Sequence, residues 1–156
     1  MTSPALPAPT PQAQTLIRLL GLSTSGPLPL IEAVEAGLSL TALDRVAHSL
    51  APTDGAFVHR LVPRPTLMRR RRARATAKGA AAARLSAAEG ARLARLAAVW
   101  ALALEVWGSE DTARRFMFEA HPMLEGRAPV DLVLESELGR PVVEGILGRL
   151  MYGSAA

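Results

Sequence analysis

Apolar side chains return every three or four positions through Leu93, Leu96, Trp100, Leu104 and Trp107, a period that places them on one face of an α-helix. Both ends of that helix are written beside it. Ser86 and Glu89 have the S-x-x-E spacing of a capping box, in which the serine oxygen accepts from one free backbone N–H and the glutamate from another. Gly108 can take the left-handed conformation that closes a helix. The pattern predicts a spine from Ser86 to Gly108, with the seam and both tryptophans in the core and Arg92 and Arg95 facing elsewhere.

Shorter helical patterns flank the spine. Residues 1–14, with four prolines, read as a disordered arm, followed by a helix over Gln14–Leu20 ended by Gly21 and by an STSGP linker. A helix over Leu28–Ala36 is expected to turn Ile31 and Val34 inward. Ser39 caps the next, whose stripe is Leu40, Leu43, Val46, Ala47 and Leu50, with His48 off it. Pro52, Thr53 and Asp54 open a short helix that buries Phe57, Val58 and Leu61. Val62 and Pro63 close it, and a basic helix starts at Arg64, with Pro65 in its first turn and Leu67 inward. Residues 73–84, rich in alanine, fit either a helical extension or a mobile connector. Beyond the spine, Ser109 caps a helix with Ala113, Phe116 and Met117 inside and Arg114 and Arg115 outside. Pro129 begins a short helix, and Ser136 caps the last, whose apolar face is Leu138, Val142, Val143, Ile146, Leu147 and Leu150. Every element is helical, so the fold class is all-α.

Composition adds two points. The 156 residues contain no cysteine and no apolar run long enough to cross a membrane, and the N-terminus lacks the features of a signal peptide, so a cytoplasmic protein is expected. The net charge of +4 is uneven: residues 1–85 hold ten arginines and Lys78 against four acids, a balance of +7, whereas residues 86–156 hold seven arginines against ten acids, −3. Different partners are expected for the two parts.

The basic part carries the first candidate surface. Two short helices, a turn and an arginine-rich helix make a helix-turn-helix pattern, in which the last helix enters the major groove. Its DNA-contacting candidates are Arg64, Thr66, Arg69, Arg70, Arg71 and Arg72. Consecutive arginines point in different directions, so not all can reach one groove, and a solvated charge run leading into a linker is the competing reading. Catalysis has no support. His48, His59 and His121 fall on separate elements without metal-ligand spacing, and no nucleophile elbow or phosphate loop is present, so no catalytic residue, cofactor or metal is expected.

From Ser109 to Gly153 the chain resembles the toxin-binding domain of Xre/MbcA/ParS-type antitoxins, matching at Ala113, Leu124, Gly126, Pro129, Asp131, Leu132, Gly139, Val143, Leu147, Tyr152 and Gly153. Upstream, GLSLTALDRVAH, PTLMRRRR and LSAAEGARLARLAAVW resemble the Xre-like helix-turn-helix region of that family, extending the resemblance over about residues 28–153. Departures are Phe116 for a usual tryptophan, Ala120 and His121 for a proline-asparagine pair, Glu125 for a glycine, and Pro63 and Arg64 before the basic helix. Composition sets off an arm and linker over 1–27, and the resemblance implies a DNA-binding region over 28–85 and a central helix with a toxin-binding domain over 86–156. It further implies a type II antitoxin that blocks a RES-domain, NAD-consuming toxin through Arg149, Tyr152 and Gly153, and that acts as a homodimer repressing its own operator DNA. The alternative is a free-standing transcription regulator whose C-terminal domain serves dimerisation or an unknown ligand.

Overall fold

The computed structural model describes residues 7–23, 26–76 and 83–153. Residues 1–6 of the expected arm, 24–25 of the linker, 77–82 of the alanine-rich connector and 154–156 lie outside the described residues. Within them the chain folds into eight α-helices, with two isolated β-bridges and no sheet.

Helix α1 (Pro11–Leu20) begins inside the stretch expected to be an arm. Pro11 stands at the first helical position, where its missing N–H has no partner to lose, and the Thr10 hydroxyl accepts from Ala13 N–H at 3.2 Å. A proline that reads as a breaker is here a start signal. Leu19 and Leu20 are buried, as a helix over Gln14–Leu20 allows, but residues 11–14 form its first turn rather than part of a disordered arm.

Helix α2 (Pro27–Ala36) runs as expected, but Ile31 is 52% exposed. Val34 faces inward as expected, joined by Leu30 and Ala33 in place of Ile31. A ten-residue helix that is apolar at most positions does not fix its own phase. Helix α3 (Leu40–Leu50) is capped by Ser39, and its whole expected stripe is buried together with Ala42. The next short helix is a single 3-10 turn, Phe57–Arg60, which nonetheless buries Phe57, Val58 and the following Leu61 and Val62. Helix α4 (Arg64–Arg74) then carries the basic run, with Leu67 completely buried.

Helix α5 (Ala87–Trp107) is the spine. Glu89 accepts from Ser86 N–H at 2.9 Å, the Ser86 hydroxyl accepts from Glu89 N–H at 3.2 Å, and Gly108 closes the helix at φ 65°. The expected single seam is too narrow a description. Leu93, Ala94, Leu96, Ala97, Ala98, Val99, Trp100, Ala101 and Ala103 are all buried. Alanines carry so little bulk that α1, α2, α3, α6, α7 and α8 all pack against this one helix. At the far end the seam runs out: Leu104 is partly covered and Trp107 is 37% exposed.

Ser109 caps α6 (Glu110–Phe118), which buries Ala113, Phe116 and Met117. Helix α7 (Pro129–Glu135) and helix α8 (Gly139–Tyr152) pack on each other and on α5. The Ser136 hydroxyl accepts from Leu138 N–H at 3.1 Å, tightening the turn ahead of α8 rather than capping the helix itself. Of the broad face expected on α8, Val143, Ile146 and Leu147 are buried, while Leu138, Val142 and Leu150 remain exposed.

Candidate functional site

On α4 the arginines separate by direction. Arg70 forms an ion pair with Glu89, both side chains about 15% exposed, so the basic helix is fastened to the capping box of α5. Arg71 pairs with Asp44 of α3 at 2.7 Å, and Arg74 donates to the Thr41 hydroxyl at 3.2 Å. Arg64, Arg69 and Arg72 are exposed and have no ion-pair partner among the described residues, and Met68 stands exposed with them. Positions 64, 68 and 72 are successive turns of one ridge, with Arg69 beside it. The structure thus brings together three of the six candidates on one outward face. Arg70 and Arg71 are engaged within the fold, and Thr66 is half-buried.

Two opposing effects act on Glu89. Burial raises its carboxyl, but hydrogen bonds from Arg70 and Ser86 together with the guanidinium charge outweigh burial and hold it below the ordinary value of 4.5. Glu89 is therefore ionised at neutral pH.

The other candidate residues lie where α8 leaves the core. Arg149 and Tyr152 are exposed, Tyr152 to 83%, and Gly153 turns the chain at φ 70°. Among the described residues Tyr152 makes no side-chain hydrogen bond and no aromatic pair. The last turn of α8 also borders, through Leu150, a feature the sequence pattern did not show. Trp107, Phe116, His121 and Leu150 line a groove of about 360 Å³. Periodicity had placed Trp107 and Leu150 with the core; the usable signal was that both fall in the last turn of their helices, past the final fully buried residue.

The loop between α6 and α7 is built tightly. His121 N–H donates to Arg127 carbonyl at 3.0 Å, and His121 Nδ1 accepts from Met123 N–H at 3.2 Å. Glu125 sits at φ 55°, the one non-glycine residue with positive φ among those described.

The last two helices, α7 and α8, lean on the long buried α5 and leave the end of α8 exposed. The family model for the antitoxin Xre/MbcA/ParS C-terminal toxin-binding domain matches residues 102–153. The chain is 30% identical to "Antitoxin Xre" of Yersinia enterocolitica serotype O:8 / biotype 1B (strain NCTC 13174 / 8081) over 151 residues, covering 94% of this chain and 95% of that relative. The chain belongs to the Xre/MbcA/ParS antitoxin family.

Proposed function

We propose that the chain is the antitoxin of a type II system whose partner is a RES-domain, NAD-degrading toxin, and that it works in the cytoplasm. Residues 86–156 act as the toxin-binding part, with Arg149, Tyr152 and Gly153 set into the entrance of the toxin's active site. The observation that carries this is Tyr152, 83% exposed at the end of α8 inside the region that matches a toxin-binding domain. A tyrosine buries a large area at little entropic cost when it docks.

Residues 28–85 bind operator DNA through α4, repressing the operon, and the chain acts as a homodimer because helix-turn-helix regulators read paired half-sites. Support comes from the outward ridge of Arg64, Arg69 and Arg72. The test is co-expression with the toxin encoded beside this gene. The intact chain restores growth and cellular NAD, and a chain ending at Gly148 loses the rescue while still shifting operator DNA. Rescue by the shortened chain would refute the plug.

A further inference from the structure

The groove beside the end of α8 is shaped before any partner arrives. Phe116, itself nearly buried, forms its floor, with the Trp107 ring centroid 6.0 Å away on one side and the His121 ring 5.8 Å away, edge-on, on the other. Leu150, 48% exposed, closes the wall from α8. These four come from the end of α5, from α6, from the loop after it and from α8, so the groove depends on the whole C-terminal fold. Arg115 and Glu119, both largely exposed, pair at 3.3 Å on the rim, and His121 Nδ1 accepts from Met123 N–H.

The cleft is lined mainly by apolar side chains, with the exposed Arg115–Glu119 pair on its rim. Exposed aromatic and aliphatic groups clustered in a concavity mark an interaction site. Every lining residue lies within 102–153, the region that matches a toxin-binding domain, and Leu150 stands two residues before Tyr152 on the same helix end. Leu150 and Tyr152 point to opposite sides of the last turn of α8, so a partner cleft that encloses the helix end to take up Tyr152 and Gly153 meets the Leu150 side of the same turn.

We infer that the groove is a second anchor point of the toxin interface, receiving one large uncharged side chain, aliphatic or aromatic, that the toxin presents beside its active-site entrance. The inference rests on the reading of α8 as the toxin-facing helix. It makes the interface reciprocal: the antitoxin inserts Tyr152 into the toxin and the toxin inserts an apolar knob into the antitoxin. Because the aromatic floor is already packed, the knob is accepted without rearrangement, which favours tight binding.

The test uses full-length antitoxin and the purified product of the adjacent toxin gene. Thr112→Phe fills the groove from α6 and Leu150→Arg puts a charge on its wall; both positions are partly solvated, so both variants are expected to keep the circular dichroism and midpoint of the parent. Each is expected to raise the Kd for the toxin at least about tenfold. In 5-fluorotryptophan-labelled antitoxin, toxin addition is expected to shift the Trp107 fluorine resonance and leave that of buried Trp100 in place. Folded variants that bind with full affinity, or an unmoved Trp107 resonance in the saturated complex, overturn the inference. If in those cases the chain ending at Gly148 still loses binding, the helix-end plug survives without the groove. A parent chain that fails to bind the toxin at all removes both. A Trp107 resonance that moves with antitoxin concentration alone assigns the groove to a second copy and likewise overturns the proposal.

Discussion

A Cβ built on Gly139 would lie 2.0 Å from the Leu132 carbonyl oxygen and 2.4 Å from its carbon, so the start of α8 rests directly on the backbone of α7. No side chain can move aside to relieve that. Gly139→Ala is expected to cost about 3 kcal/mol or more, the upper end of overpacking, read as a fall in the urea midpoint. Gly90 looks the same in sequence, a glycine inside a helical stretch, yet a Cβ there meets Val34 Cγ1 at 3.5 Å, an ordinary contact. Gly90→Ala is expected to raise stability by about 0.5–1 kcal/mol through helix propensity. Only the position of a neighbouring helix separates the two cases, which is why one-dimensional pattern could not. Glu125 shows the reverse: it occupies a left-handed position for which glycine is the easier residue, matching the departure noted there. Glu89 gives a pH prediction with a definite sign. Its folded carboxyl holds its proton less tightly than the unfolded one, so its contribution is complete above about pH 4.5 and is lost as pH falls through the lower folded value. Glu89→Gln, which keeps a capping side chain, is expected to be less stable than the parent at pH 7 and to converge with it as pH falls below 4.5, measured by urea midpoints.

At the level of elements, several arginines that inflate the basic charge serve as tethers between helices. Arg45 donates to the Arg18 and Leu19 carbonyls at 2.7 and 3.2 Å, closing the C-terminal end of α1. Arg114 reaches the Ser49 carbonyl in the last turn of α3 through two nitrogens, at 3.1 and 3.0 Å. Arg95 donates to the Val133 carbonyl at 2.6 Å and to that of Leu134 at 3.4 Å in the last turn of α7, and burial pulls its pKa below the usual arginine value. Each places a cation where a helix leaves carbonyls unsatisfied and its dipole is negative. Helix ends were legible in sequence because caps are local: Ser39, Ser86, Gly108 and Ser109 all act where expected. The partners of Arg92, Arg95 and Arg114 were not, since those bonds cross 31 to 65 residues of chain. The same sorting sharpens the DNA proposal. Replacing Arg69 or Arg72 with alanine is expected to weaken operator binding and to reduce the slope of log K against log salt by about one each. Arg70→Ala is expected to leave the slope nearly intact and lower stability instead, since it strips a largely buried Glu89 side chain of its partner.

Across the whole molecule, the acidic and basic parts differ in charge but share a core. Phe57 of the front part packs edge-on against Phe118 of the rear at 5.8 Å, and Trp100 Nε1–H donates to the Ser49 hydroxyl at 2.8 Å. Arg60, in the 3-10 turn before the basic helix, pairs with Asp131 in the first turn of α7 at 2.6 Å. Arg92 of α5 donates to the Leu61 carbonyl at 3.3 Å. A division at Ser86 therefore separates proposed roles along the chain without separating a hydrophobic core, for α1, α2 and α3 cover faces of α5 that α6, α7 and α8 leave open. Cooperative unfolding of a small domain follows from a shared core of this kind. The full chain is expected to unfold in one transition with coincident fluorescence and circular dichroism curves. A fragment of residues 86–156 is expected to retain helical signal but to bind hydrophobic dye and melt without a sharp transition, because Trp100 and its neighbours on α5 lose their cover. A fragment that instead gives a steep transition and a dispersed amide spectrum would show that the rear part folds alone, and the contacts across Ser49, Phe57 and Asp131 would then be docking between two domains rather than one core.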